Sequence, residues 1–482
     1  MTTVVVIGGG PAGLAAAEAA LSGGAEVILL EAGQRLGGQF WRHPPDDVAV
    51  DTTLQHNWAR FTALRDTVRT HSRSRVITGA QVWAIDDSAG APQVHIAVGP
   101  ADAADRDQQQ IRGDALIIAT GAHDHTLPFP GWDLPGVFTG GAAQSLVKSE
   151  AVAVGRRVLV AGAGPFLLPV AASLARVGSE VAGIHEASGI RQLATGWLPN
   201  APWLVGKSGE LGGYVAGLLR RRIPYHTGSA VVRAHGTDAV EGVTVARVDR
   251  DWRPIPGTQR EMAVDAVCVS HGFTPRLELA IAAGCRIRPD RFVEVDDGLR
   301  TSRRNVFAAG ETTGIGGSDL ALVEGRIAGH LAAGGSLTDP ALRASLRTRT
   351  RLDHLARSVR IGHAVGRGWT DWLTDDTVLC RCEEVSYGAL RTVLAGTGSP
   401  HTGAYGLRSV KLSSRVGLGP CQGRICGRAV EHIVTDGGRR PVSDGVLFDR
   451  RPIAAPIRFG ELADDTPTLP SISSTDTEGR EE

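Results

Sequence analysis

"TVVVIGGGPAGLAAAEAALSGGAEVILLE" runs from Thr3 to Glu31 and fixes how the first part of the chain folds. Val4 to Ile7 is a short apolar run of strand character, and an Ala-rich helical stretch follows the glycines. Gly8-x-Gly10-x-x-Gly13 lies between them. The three glycines serve different ends. Gly8 makes a tight turn, Gly10 lets the backbone approach a pyrophosphate, and Gly13 lets the helix pack on the strand. Pro11 suits the first helical turn, where an amide hydrogen has no partner, and Ala12 follows it. The helix N-terminus then offers free N–H groups to phosphate. Glu31 ends the next strand, 23 residues after Gly8, where a carboxylate can accept hydrogen bonds from a ribose diol.

The plan returns about 150 residues later as "RVLVAGAGPFLLPVAASLARVGSEVAGIHE", Arg157 to Glu186. Gly162 and Gly164 are in place, but the third position is Leu167. A bulky side chain there should hold the helix off the strand or force another arrangement, so NAD binding by this unit is an open expectation. Glu186 ending the strand would disfavour a 2′-phosphate. "DALIIATGA" (Asp114 to Ala122) and "DAVCVSHGFTP" (Asp265 to Pro275) read as further buried strands, and "NVFAAGETTGIGG" as a strand and glycine turn.

The 482 residues allow two to four domains, and 42% hydrophobic content with 62 glycines suits an α/β protein. Zero formal net charge points to neither nucleic acid nor an anionic membrane surface. No apolar run approaches a membrane span, and the chain opens directly on a strand, so a cytoplasmic protein without a signal peptide is expected. Charge is uneven: residues 341–460 hold 19 Lys+Arg against 10 Asp+Glu, and residues 461–482 hold one Arg against seven acids. The first region either offsets an anionic cluster or docks an acidic partner, unless it is ordinary solvated surface.

Four of the six cysteines form C-x-C (Cys380, Cys382) and C-x4-C (Cys421, Cys426), in "VLCRCEEV" and "GLGPCQGRICG". Clustered pairs without an export signal argue for metal over disulfides. Two thiolates on each of two irons suit a [2Fe–2S] cluster; structural zinc prefers C-x2-C knuckles. Cys268 and Cys285 fall outside the pattern, and Cys268 reads as a buried small hydrophobe. No cysteine pair follows the first glycine motif. His123, His125 and His271 flank turns but form no acid–base constellation, so no catalytic residue is assigned.

From the N-terminus to about Gly334 the chain resembles the two-dinucleotide-fold flavoproteins, on the two glycine motifs, "ATG" (Ala119 to Gly121) and "NVFAAGETTGIGG". That resemblance implies a Rossmann-like FAD domain (1–150 and 265–335) interrupted by an NAD-like domain (151–264). Glu31 would hold the adenosine ribose, Gly38 and Gln39 of "LGGQ" would pass near the flavin, and Thr120 and Gly121 would lie on the crossover strand. Val82 joins the cofactor-binding set, with Gly310 and Glu311 at the ribityl-pyrophosphate region; Glu311 stands where Asp is usual. "CRCEEV" with "GPCQGRIC" resembles the cluster domain of bacterioferritin-associated ferredoxin, implying a small α-rich [2Fe–2S] domain (340–460, with its linker helices) before an acidic tail (463–482). "GGQFWRHPP", "LPFPGWDLPGVFTGGAAQ" and "WLTDDTVLCRCEEV" resemble the α subunits of opine oxidase, hydrogen cyanide synthase and proline or hydroxyproline dehydrogenase. The family implies a D-amino-acid-oxidase-like partner that oxidises the amine, a small ferredoxin-like subunit, and attachment to a membrane, if any, through those partners. Two other readings are a self-contained NADH-dependent flavin reductase and a scaffold with vestigial sites.

Overall fold

Val4, Val5, Val6 and Ile7 are all buried, because their strand is covered on both faces, as parallel strands are. Thr3–Ile7 pairs in parallel with Glu26–Glu31 on one side and Ala115–Ile118 on the other. Val306–Ala308 and Ser74–Thr78 complete this five-stranded sheet at its edges. Residues 1–86, 91–103, 105–206, 208–396, 406–435, 448–451 and 453–463 are described by the computed structural model.

The helix Pro11–Ser22 is buried nearly all round, as its alanine-rich sequence requires. It crosses the helix Gly317–Ala332 at backbone contact: a Cβ on Gly325 would stand 2.0 Å from the Ala12 carbonyl oxygen. The other face of the sheet is covered by the antiparallel ribbon Ala80–Asp86, Gln93–Val98 and Asp107–Arg112, sharing one apolar core.

A second parallel sheet runs Tyr225–Thr227, Glu180–Glu186, Arg157–Gly162, Ala266–Ser270, Val137–Thr139, with its own antiparallel ribbon, Ser229–His235, Gly242–Arg247 and Arg260–Ala263. This moves the boundaries expected from sequence. Ala266–Ser270, assigned to the flavin domain from residue 265, pairs with Arg157–Gly162, because only there does its wholly buried "AVCVS" have strands on both sides. Val137–Thr139, assigned to residues 1–150, also belongs to the second sheet. The domains meet at the antiparallel pair Ala122–Asp124 and Phe273–Pro275.

Beyond it, the helix Arg343–Gly362 leads to the cysteine module. This module has a two-stranded ribbon (Val378–Cys380, Val385–Ser386) and the helices Tyr387–Gly396, Leu407–Ser414 and Gly427–Val434, around a core that includes Cys380, Cys426 and Phe448. It is joined to the first domain by buried and half-buried ion pairs. Glu278 pairs with Arg424 (2.9 Å) and Arg451 (2.8 Å), and Arg291 pairs with both Glu431 and Asp449. Four arginines of the basic region 341–460 meet carboxylates outside it among the described residues: Arg424 and Arg451 on Glu278, Arg349 on Glu324 and Arg360 on Asp290. Such pairs select one docking geometry more than they add stability. No described helix is long and apolar enough to cross a membrane. The acidic tail read from the sequence lies, beyond Ala463, outside the described residues.

Candidate functional site

One cleft of about 2990 Å³ runs between the three domains. Gly8, Gly10, Pro11, Ala12, Glu31, Gly38, Gln39, Val82, Thr120, Gly121 and Glu311 all line it. Gly13 and Gly310 do not, and they act behind the wall. A Cβ on Gly13 would stand 1.7 Å from the Gly8 carbonyl oxygen, and one on Gly310 would stand 2.8 Å from Ala12 Cβ.

The glycine turn is built to admit an anion. Gly10 caps the helix Pro11–Ser22 with no side-chain hydrogen bond, which leaves the first amides facing the cleft. A Cβ on Gly10 would meet only Gly38 Cα at 3.8 Å, so the space in front of this backbone is cleft. Glu31 is held from both sides: Gly9 N–H donates to Oε2 (2.6 Å) and Gly33 N–H to Oε1 (2.7 Å). Burial pushes its carboxyl upward, against those two amides and the positive fields of Arg276 and Arg42. Glu311 is pushed up to about 7 by burial, with the Gly317 amide opposing. These features fit FAD: a free helix N-terminus for the pyrophosphate and a fixed carboxylate one strand away for the ribose.

Lys148, which nothing in its local sequence marks, also lines this cleft. Its ammonium donates to the Phe40 carbonyl (3.1 Å), and burial together with Arg42 lowers it to about 8. Of the histidines, His271 is buried and lowered to about 4, so it is neutral near pH 7, and its Nδ1 has no partner among the described residues. His123 also lines the cleft, and its Nε2 donates to the Arg424 carbonyl (2.9 Å).

The second glycine turn differs in the way Leu167 foreshadows. The first helix begins at Pro11, directly after Gly10, whereas the second begins only at Leu167, three residues after Gly164. Leu167 is fully buried, and Phe166 packs on Phe273. Glu186 is wholly buried, and its carboxylate is taken. Gly164 N–H (2.9 Å), Ser188 N–H (3.0 Å) and the Tyr225 hydroxyl (3.4 Å) donate to it, and His363 Nδ1 lies 3.2 Å away. Burial pushes Glu186 up, but His363 and the two amides outweigh it and leave it below the ordinary carboxylate range. The Gly164 and Ser188 amides hold Glu186 much as the Gly9 and Gly33 amides hold Glu31; what differs is that the Tyr225 hydroxyl and His363 meet it as well.

In the cysteine module, Cys382 Sγ lies 3.8 Å from Cys380 Sγ and 3.6 Å from Cys421 Sγ, and Cys426 donates to Cys380. Two thiolates on one tetrahedral metal at about 2.3 Å are about 3.8 Å apart, so these separations suit shared ligation. Among the described residues no three such side chains close on a ready cage for one ion; the sulfurs form a string. Glycine makes this packing possible, since a Cβ on Gly419 would stand 2.5 Å from Cys382 Sγ. Hydrogen bonds from Cys426 and the Gly417 amide pull Cys380 down to about 5. Cys380 and Cys426 are buried and Cys382 is exposed. Cys268 and Cys285 are buried in other cores. The Cys421–Cys426 loop forms part of the cleft wall: Arg424 and Ile425 line it, and the Thr126 hydroxyl donates to the Ile425 carbonyl (3.3 Å).

The pyridine nucleotide-disulphide oxidoreductase family matches residues 2–333. Hydrogen cyanide synthase subunit HcnB of Pseudomonas protegens is 32% identical over 94% of this chain and 96% of its own. The A subunit of opine oxidase from Rhizobium meliloti is 32% identical over 95% and 98%. In fold, L-proline dehydrogenase from P. horikoshii aligns over 96% of this chain and 79% of that one, with TM-score 0.65 at 21% identity.

Proposed function

The chain belongs to the pyridine nucleotide-disulphide oxidoreductase family, together with HcnB of hydrogen cyanide synthase and the A subunit of opine oxidase, and from that premise we propose that this flavoprotein oxidoreductase relays electrons within a heteromeric complex that oxidises an amino acid or opine. A D-amino-acid-oxidase-like subunit would oxidise the amine, with a small ferredoxin-like subunit completing the assembly. FAD in the cleft would exchange electrons in pairs or singly, which links amine oxidation to a one-electron carrier.

The chain's own residues then have definite roles. The amides after Gly10 bind the pyrophosphate. Glu31 accepts from the ribose while fixed by Gly9 and Gly33. Glu311, with its carboxyl near 7, can approach phosphate in the protonated form without charge repulsion. Cys380, Cys382, Cys421 and Cys426 would hold a [2Fe–2S] cluster, for which the number, softness and spacing of the sulfurs are suited.

The observation that carries the reading is the cysteine loop in the cleft wall, tied by its Arg424 carbonyl to His123, which follows the crossover strand by a few residues. It supports short-range exchange between flavin and cluster. The NADH-reductase alternative is disfavoured by the second helix, which starts only at Leu167, three residues after Gly164, where the first starts directly after Gly10. The test is to co-purify the chain with its partner subunits anaerobically, assay iron and acid-labile sulfide, and add an amine substrate. Two irons and two sulfides per chain, with amine-dependent bleaching of flavin and cluster, are expected. One zinc without labile sulfide would overturn the relay.

A further inference from the structure

Between Ile190 and Tyr225 the second domain exposes six large apolar side chains. Ile190 (72%), Leu198 (71%), Trp203 (39%), Val215 (45%), Leu219 (73%) and Tyr225 (39%) are six of the sixteen large apolar side chains that are exposed. They lie on adjoining elements: the helix Ile190–Trp197, the turn Leu198–Gly206, the helix Ser208–Arg220 and the edge strand Tyr225–Thr227. Single exposed apolar residues are ordinary, whereas a concentration of them marks an interaction surface. The helix Ser208–Arg220 is anchored weakly, since Leu218 is the one buried side chain among those described in it.

The surround is basic. Residues 187–226 contain five Lys+Arg (191, 207, 220, 221, 222) and a single acid, Glu210. Arg191, Arg220, Arg221 and Arg222 are exposed, and among the described residues none of their guanidinium groups has an ion-pair partner. On the helix Ser208–Arg220, Val215 and Leu219 point away from the side that borders the cleft. Gly209, Gly213 and Gly217 line it from the helix, and a Cβ on any of the three would meet nothing within 4 Å.

We propose that this face is the docking surface for a partner subunit with an apolar centre and an acidic rim, seated on the outer side of the helix that borders the cleft. An apolar core inside a charged rim is the anatomy of a protein interface, and arginine forks pair with carboxylates in two-point contacts. A subunit seated on this helix would stand just outside the cleft and bring its own redox group near this one, which favours a protein partner over a lipid surface. The inference rests on the subunit reading above.

The test uses the tagged full-length chain, purified with its partners and also alone. Hydrogen–deuterium exchange of residues 208–220 should slow at least tenfold in the complex relative to the free chain. Leu219→Glu with Arg220→Glu should weaken assembly at least tenfold, while FAD content and melting temperature of the free chain stay unchanged. A complex that forms equally well with this double variant, and leaves residues 208–220 exchanging as in the free chain, overturns the surface while leaving the subunit reading intact. Two other results overturn it in favour of another occupant. One is a free chain that binds phosphatidylcholine–phosphatidylglycerol vesicles and loses that binding with Leu219→Glu. The other is a free chain that is a dimer dispersed by the same change. A wild-type chain that purifies with no amine-oxidising flavoprotein removes the subunit reading and this proposal together.

Discussion

Two alanine substitutions three residues apart in one motif should fail for different reasons, and the contrast tests the cleft directly. Gly10→Ala places a methyl group 3.8 Å from Gly38 Cα, an ordinary contact, so the free protein accepts it. Gly10 caps its helix with φ −79°, a conformation open to alanine, and the exchange at this cap costs on the order of 1 kcal/mol. The methyl group nevertheless occupies the approach to the first helical amides. Flavin affinity should fall at least a hundredfold, roughly 3 kcal/mol, because a phosphate held off by one carbon loses charge-assisted hydrogen bonds. Gly13→Ala puts its Cβ 1.7 Å from the Gly8 carbonyl oxygen. The helix must move away by more than an ångström, which overpacks a core already shared with Gly317–Ala332 and costs about 1–3 kcal/mol or more. Flavin content by absorbance, FAD affinity by fluorescence titration, and thermal unfolding of flavin-free protein separate the two. Gly10→Ala should melt close to the wild type and lack flavin; Gly13→Ala should melt well below both. Full flavin occupancy in folded Gly10→Ala would refute the assignment of the pyrophosphate to this turn.

Burial holds Glu311 near 7, well above its ordinary value. Between about pH 4.5 and 7 the unfolded chain ionises this carboxyl while the folded chain keeps it protonated, so stability falls as pH rises through that window, by up to about 3 kcal/mol, and levels off above 7. Glu311→Gln should remove that part of the dependence and raise the melting temperature at pH 8; an unchanged pH profile would contradict the shift. Calorimetry should detect no tight NADPH binding, because Glu186 would face the 2′-phosphate with like charge, and micromolar NADPH affinity would overturn that reading of Glu186. Cys382→Ser or Cys421→Ser should lose labile sulfide while FAD content is kept, and Cys268→Ser should change neither; sulfide retained in both single variants would exclude these ligands.

Much of this molecule is legible in short stretches, because the physics there is local. An apolar run, a glycine that must take positive φ, and an alanine helix specify the Thr3–Glu31 unit without reference to anything distant, and eleven of the thirteen cofactor residues named from sequence line the cleft. Leu167 likewise announced a changed second turn. The domain boundaries were less legible: "AVCVS" is apolar on both faces in either sheet, and only strand pairing assigns it to the second.

What the tertiary structure alone decided are contacts between residues far apart in the chain. His123 meets the Arg424 carbonyl across 301 positions, His363 approaches Glu186 across 177, and Lys148 reaches Phe40 across 108. None of these side chains has a periodicity or a neighbour that reveals its partner. Each contact arises because burying the apolar faces of three domains fixes their mutual orientation, and the polar groups left at the seams must then find one another or remain unpaired at a cost. The sequence therefore determined that the chain carries a dinucleotide turn and four grouped cysteines, and packing decided that the cysteine loop forms a wall of the same cleft.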